Sequence, residues 1–143
     1  MLWIKKKRAG LRGARSADQE LAAQAERAKR LFARSLLVTA KDELVKIEML
    51  ATEARKNEAL GYAVVLMAAR RCTLVAPPAA SPESAAIAAS VEDQLIRTIV
   101  CAAARVGIAT DSVAEAVAQL AWAHQLGPVF DWIDGSAESL FYG

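Results

Sequence analysis

Apolar residues recur along this chain at spacings of three and four, and few stretches alternate as half-buried strands do. In the first such run, Leu21, Ala25, Ala28, Phe32 and Leu36 fall within about 80° of one another on a helical wheel, while Arg27, Arg30 and Arg34 share a sector of about 60° on the opposite side. Helix one is thus expected to carry an apolar stripe and an arginine stripe. Ser16 predicts its N-cap, with Gln19 at the capping-box position and Asp18 and Glu20 favourable to the helix dipole. Upstream, residues 1–15 form a basic arm in which Gly10 and Gly13 lower helix propensity. Thr39, followed by Asp42 and Glu43, is a candidate second N-cap, with an unbroken helix as the alternative.

From Leu44 the apolar positions Ile47, Leu50, Ala51 and Ala54 keep helical spacing, and after Glu58 the segment ALGYAVVLMAA is apolar on every side. A helix apolar all round is a buried one, so residues 59–69 are expected to form the central core helix, ending near Arg70 and Arg71. Pro77 and Pro78 make residues 75–82 a linker. Ser81-Pro82-Glu83 then reads as N-cap, N1 proline and first-turn acid of a helix that stops at Gly107, with Val91, Leu95, Ile99, Ala102 and Val106 facing inward. Thr110 or Asp111 is expected to cap a fourth helix running to Leu126 and closing at Gly127-Pro128, after which VFDWIDGSAESLFYG reads as one short helical turn and a tail.

The expected fold is therefore all-α, a single-domain helical bundle of about four to five helices over residues 16–143 behind the basic N-terminal arm 1–15. Within the bundle, residues 16–74 supply the basic and central helices and residues 83–143 the acidic ones. The length of 143 residues suits one core, and the 55% hydrophobic content with only four prolines agrees with helices throughout.

Charge changes the picture more than composition does. Residues 1–34 hold ten basic and three acidic side chains, residues 35–71 six and five, and residues 72–143 two and eight. The formal net charge of +2 hides a dipolar chain. A basic front end suits a polyanion, because neutralising phosphates releases condensed counterions, and an acidic rear end repels the same partner.

No catalytic or metal signature competes with that signal. Cys72 and Cys101 form no C-x-x-C pair and the chain has one histidine, so no disulfide framework, zinc site or other cofactor is suggested, and the thiols are expected to be buried in a reducing, cytoplasmic compartment. The longest uncharged run, residues 116–130, is too short and too interrupted to span a bilayer, and the basic start lacks the apolar stretch of a secretory signal. His124 shares a wheel sector with Val113, Val117 and Leu120 and is expected in the core rather than in a site. Cys101 sits in the apolar run TIVCAAA, and Asp131 and Asp134 flank Trp132 as solvent-side acids of a short helix would. No glycine pattern that cradles phosphate is present.

The remaining constellation with a mechanism is basic. Lys5, Lys6, Lys7, Arg8, Arg12 and Arg15 supply flexible point charges, and Arg27, Arg30 and Arg34 supply guanidinium forks that grip phosphate from a fixed surface. Sequence-specific reading is not expected, since the stripe lacks Asn and offers few aromatics. Trp122 lies opposite Val113 on its helix and is expected to be an exposed protein-interface anchor, with a helix covered on both sides as the alternative. By architecture alone, a small helical protein with a basic track and oppositely charged ends is similar to the small helical subunit of multi-subunit CRISPR effector complexes. That resemblance implies a non-enzymatic subunit lying along nucleic-acid backbone beside other subunits, head-to-tail copies of itself included. The alternative expectation is an interaction module of the secretion or phage-assembly kind, whose basic arm docks an acidic partner.

Overall fold

The computed structural model describes the backbone of residues 2–75 and 81–142, and the side chains of residues 16–52, 54–70 and 81–140. Five α-helices and one short 3-10 turn make up these residues: α1 (Leu2–Leu50), the turn Glu53–Arg55, α2 (Lys56–Val75), α3 (Pro82–Arg105), α4 (Val113–Trp122) and α5 (Gly127–Tyr142). The fold is an all-α bundle, as the periodicity predicts. The linker expected at residues 75–82 falls largely outside the described residues.

Helix α1 is one continuous element of 49 residues. It passes through Ser16 and Thr39 without a break, so neither serves as an N-cap. Gly10 and Gly13 each weaken a helix by only about 1 kcal/mol, and residues 2–50 contain no proline to stop it. Its buried positions are Ala33, Leu37, Ala40, Leu44 and Ile47, followed by Ala51 just past its end. These alternate in steps of four and three, the spacing of a seam between packed helices. Leu21, Ala25 and Ala28, placed on the inward stripe by the sequence, are instead exposed, with Phe32 and Leu36 half-buried. The core face lies about 110° round the helix from that stripe.

The chain turns at Thr52, whose extended backbone (φ −107°, ψ 162°) ends α1, and α2 folds back against it. Helical spacing continues through this turn, which is why the sequence alone does not reveal it. Among the described residues of α2, Ala59, Ala63 and Leu66 are buried. Leu60, Val64 and Val65 are exposed, Val65 at 65%, so the expectation that residues 59–69 form a fully buried helix is not met. Neighbouring helices cover α2 along a single stripe, and its apolar outer face is left open.

Both ends of α3 follow sequence rules. Ser81 accepts a hydrogen bond from the Ser84 amide with Pro82 at the first helical position. At the far end Gly107 takes a left-handed φ of 75°. The amides of Gly107 and Ile108 donate to the carbonyls of Ala104 and Ala103, closing a Schellman motif. Leu95, Ile99 and Ala102 are buried as expected, Val91 is half-buried, and Val106 is 45% exposed.

Helix α4 is capped by Ser112, which accepts from the Glu115 amide, rather than by Thr110 or Asp111. Thr110 supports this cap, accepting from the Ser112 amide and donating to the Glu115 carboxylate. The helix ends at Trp122, not Leu126, because His124 adopts a left-handed φ of 55°. The His124 and Gln125 amides donate to Ala121 and Leu120, a second Schellman motif with histidine where glycine usually stands. Gly127-Pro128 begins α5 instead of closing α4, since proline is tolerated in a helix's first turn. The expected tail is thus a helix of 16 residues, anchored by Val129, Ile133 and Ala137.

Helix α1 packs most extensively on α5, and α2 on α4, with α3 bridging them. Leu44 and Ile47 of α1 meet Ile99, Val117, Leu120, Leu126, Val129 and Ile133 in one solvent-free core.

Candidate nucleic-acid interface

Helix α1 contributes no buried side chain between residues 16 and 32. Along this stretch every position except the half-buried Lys29 and Phe32 is exposed, so the helix runs clear of the bundle. On this side Lys29 ties the helix to the rest of the fold, its ammonium lying 3.0 Å from Glu83 of α3 and 3.3 Å from Glu26 of its own helix. Both carboxylates, Glu83 foremost, hold Lys29 above the usual lysine range.

Arg27, Arg30 and Arg34 are all exposed and share one sector of α1. The sector lies about 90° from the core face and about 155° from the Leu21 stripe. Glu26, the acid closest to it in sequence, is drawn aside by Lys29. The resulting ridge is positive and rigid, spanning about 10 Å of helix axis from Arg27 to Arg34.

The continuity of α1 extends this ridge in register. Lys5, Arg8, Arg12 and Arg15 occupy backbone positions within the same sector of about 120° as Arg27, Arg30 and Arg34, whereas Lys6 and Lys7 fall outside it. The side chains of Lys5, Lys6, Lys7, Arg8, Arg12 and Arg15 lie outside the described residues. From Lys5 to Arg34 the track measures about 44 Å along the axis. What reads in sequence as a flexible arm plus a stripe is one helix.

Two acids of residues 72–143 reach α1, Glu83 at Lys29 and Asp134 at Lys41, and Lys41 falls in the same sector of the helix as the three arginines. On α5, Asp134 accepts from Lys41 at 2.6 and 2.7 Å, tying that carboxylate to the side of α1. Lys41 also stands over the Phe130 ring, 5.9 Å from its centroid. On α3, Arg97 pairs with Asp93 at 2.8 Å, both side chains exposed.

Three other expectations change. Trp122 is half-buried, and the Lys56 ammonium sits 5.4 Å from its ring centroid, so the chain itself covers the proposed anchor. His124 is exposed rather than in the core, because the turn it forms swings it off the apolar face of α4. Cys101 is an exposed free thiol on α3, its apolar neighbours in sequence facing other ways round the helix. The side chain of Cys72 lies outside the described residues. Among the described residues no group of three or more His, Cys, Asp or Glu is arranged to hold a metal ion, and no helix is long and apolar enough to cross a membrane.

One polar cluster escaped the sequence reading. Tyr62 of α2 donates to Glu43 of α1, and Lys46 also bonds that carboxylate at 3.1 Å. The Tyr62 hydrogen bond, followed by Lys46, pulls Glu43 below the usual carboxylate range, and the same bond lifts the Tyr62 phenol above its own. Its partners sit 19 residues apart on two helices, and only the turn at Thr52 brings them together.

No family model matches the chain, and no curated protein or solved structure is significantly similar to it.

Proposed function

We propose that this chain is a non-enzymatic subunit that binds nucleic-acid backbone, without sequence preference, along the arginine face of α1 within a larger protein and nucleic-acid assembly. One observation carries the proposal: Arg27, Arg30 and Arg34 are exposed on one face of α1, the first two on the stretch that runs clear of the bundle and Arg34 just past the first buried residue, Ala33. A duplex presents one negative charge per about 1.7 Å of axis, so a straight cationic face some tens of ångströms long meets many phosphates. Arginine forks bond phosphate oxygens in pairs and carry no base information, which supports binding by position rather than by sequence. The eight acids of residues 72–143 keep the rest of the surface unattractive to the same ligand.

Leu31 and Val38, 55% and 44% exposed, border the arginine face and favour a second reading, an adaptor whose basic face docks an acidic protein. Salt separates the two. The test is titration of a fluorescent oligonucleotide of mixed sequence at several salt concentrations, on protein first stripped of nucleic acid by a high-salt wash. Backbone binding gives a log–log slope near −0.9 per phosphate contacted on duplex, or about −0.7 on single strands. No binding at low salt excludes the nucleic-acid reading and leaves the adaptor.

A further inference from the structure

The basic positions of α1 recur at a fixed offset. Lys5, Arg8 and Arg12 stand at steps of three and four, and Arg27, Arg30 and Arg34 repeat the same steps 22 residues later. Because α1 is one unbroken helix from Leu2 to Leu50, that offset is a distance of about 33 Å along the axis. It is also a rotation of about six turns and 40°, so each position of the first triplet shares a side of the helix with its counterpart in the second. Lys29, Lys41 and Lys46, the lysines of α1 that follow the first triplet's segment, are each bonded to a carboxylate of the protein.

The interval between the triplets has the opposite character. Residues 16–26 hold Asp18, Glu20 and Glu26 and no lysine or arginine, and all three acids are exposed. Cations at both ends with acids in the middle suit a polyanion that approaches the helix twice and recedes in between. A single strand drawn along this side would carry its phosphates past the acids. A B-form duplex lying beside the helix would not, because each strand returns to the near side once per turn, about every 34 Å, and the wide major groove opens between the two crossings.

We infer, resting on the reading of α1 as a nucleic-acid backbone site, that its ligand is double-stranded, with the triplets Lys5–Arg8–Arg12 and Arg27–Arg30–Arg34 on phosphates one helical turn apart. The offset of about 33 Å meets the duplex repeat of about 34 Å almost without mismatch. The acidic interval faces the open major groove, where its charges meet no phosphate and discourage a flexible single strand. Each triplet bonds phosphate and reads no base, so the duplex is recognised by its pitch.

The test is equilibrium binding of fluorescent DNA of mixed sequence in a length series, as duplexes and as single strands, at low salt and on protein freed of nucleic acid. From Lys5 to Arg34 the track spans about 44 Å, or about 13 base pairs. A duplex of about 8 base pairs therefore meets one triplet and one of about 18 meets both. Affinity should step up about tenfold or more between these lengths, and the salt slope should grow from about three phosphates' worth to about six. Single strands should show no such step. Two variants should lose the step and keep short-duplex binding: the triple variant Lys5→Ala, Arg8→Ala, Arg12→Ala, and a chain with seven alanines inserted after Ala22, which leaves the triplets on one side of the helix but about 44 Å apart. No side chain between residues 16 and 32 is buried, so the insertion should leave the bundle's thermal midpoint unchanged. Affinity that rises smoothly with duplex length, single strands that bind as tightly as long duplexes, or a step that survives the insertion overturns the inference and leaves backbone binding standing. Absence of binding to every oligonucleotide overturns backbone binding itself, and the inference with it.

Discussion

Lys29 of α1 and Glu83 of α3 lie 3.0 Å apart, and this ion pair stands where α1 parts from the bundle. It is an exposed pair, with the two side chains 36% and 72% accessible, so solvent screens most of its attraction. The apolar seam that begins at Ala33 holds α1 in place. Lys29→Ala is accordingly expected to leave the thermal midpoint almost unchanged, whereas Leu44→Ala, at a fully buried position, should destabilise the fold by roughly 2–5 kcal/mol. Thermal and denaturant melts of the two variants check this.

Helix α2 presents two unlike faces within two adjacent residues. Leu66→Ala is expected to cost about 2–5 kcal/mol, as for other buried leucines. Val65→Ser, on the open face, should stay within about 0.5 kcal/mol of wild type, as exposed positions do. Equal losses at both positions would mean that α2 is covered on all sides.

His124 stops α4 by taking a left-handed backbone conformation. That conformation strains any residue with a Cβ, histidine less than most, and a β-branched one severely. Replacing His124 with Gly should stabilise the protein by up to about 1 kcal/mol, and replacing it with Val should destabilise it by about 1 kcal/mol or more. A gain on His124→Val would contradict this account of the turn.

Tyr62 and Glu43 make stability depend on pH at both ends of the scale. The bond to Tyr62 depresses the Glu43 carboxyl, so the stability it contributes is present above the ordinary glutamate value of 4.5 and lost as pH falls through the depressed one. The Tyr62 phenol is raised by the same bond, so its contribution is present below the ordinary value of 10.0 and lost as pH rises through the raised one. Tyr62→Phe should flatten both limbs of the stability profile, measured by urea unfolding across pH, and leave the middle of the range least affected in slope.

The fold class, the α3 caps and the Gly107 stop were legible because each rests on local chemistry: a serine oxygen for a free amide, a proline without one, a glycine at positive φ. The faces of α1 and α2 were not. Both helices carry apolar residues on more than one side, and which side is buried depends on where Thr52 turns the chain and where α5 lies. The segment after Gly127-Pro128 read as one short turn and a tail, yet Val129, Ile133 and Ala137 keep a spacing of four through Gly135 and Ser136. At the site, the shared face of Arg27, Arg30 and Arg34 was readable from periodicity alone. Its register with Lys5, Arg8, Arg12 and Arg15 was not, because that follows only from α1 running unbroken through Ser16.

The most direct test of the central claim compares the salt dependence of oligonucleotide binding by wild type and by the triple variant Arg27→Ala, Arg30→Ala, Arg34→Ala. All three positions are exposed, so the fold should persist. The account predicts weaker binding to every sequence tried and a log–log salt slope flattened by up to about three phosphates' worth, with Arg97→Ala having much less effect because Arg97 stands on α3 rather than on the arginine face of α1. Unchanged affinity and unchanged slope in the triple variant would contradict it.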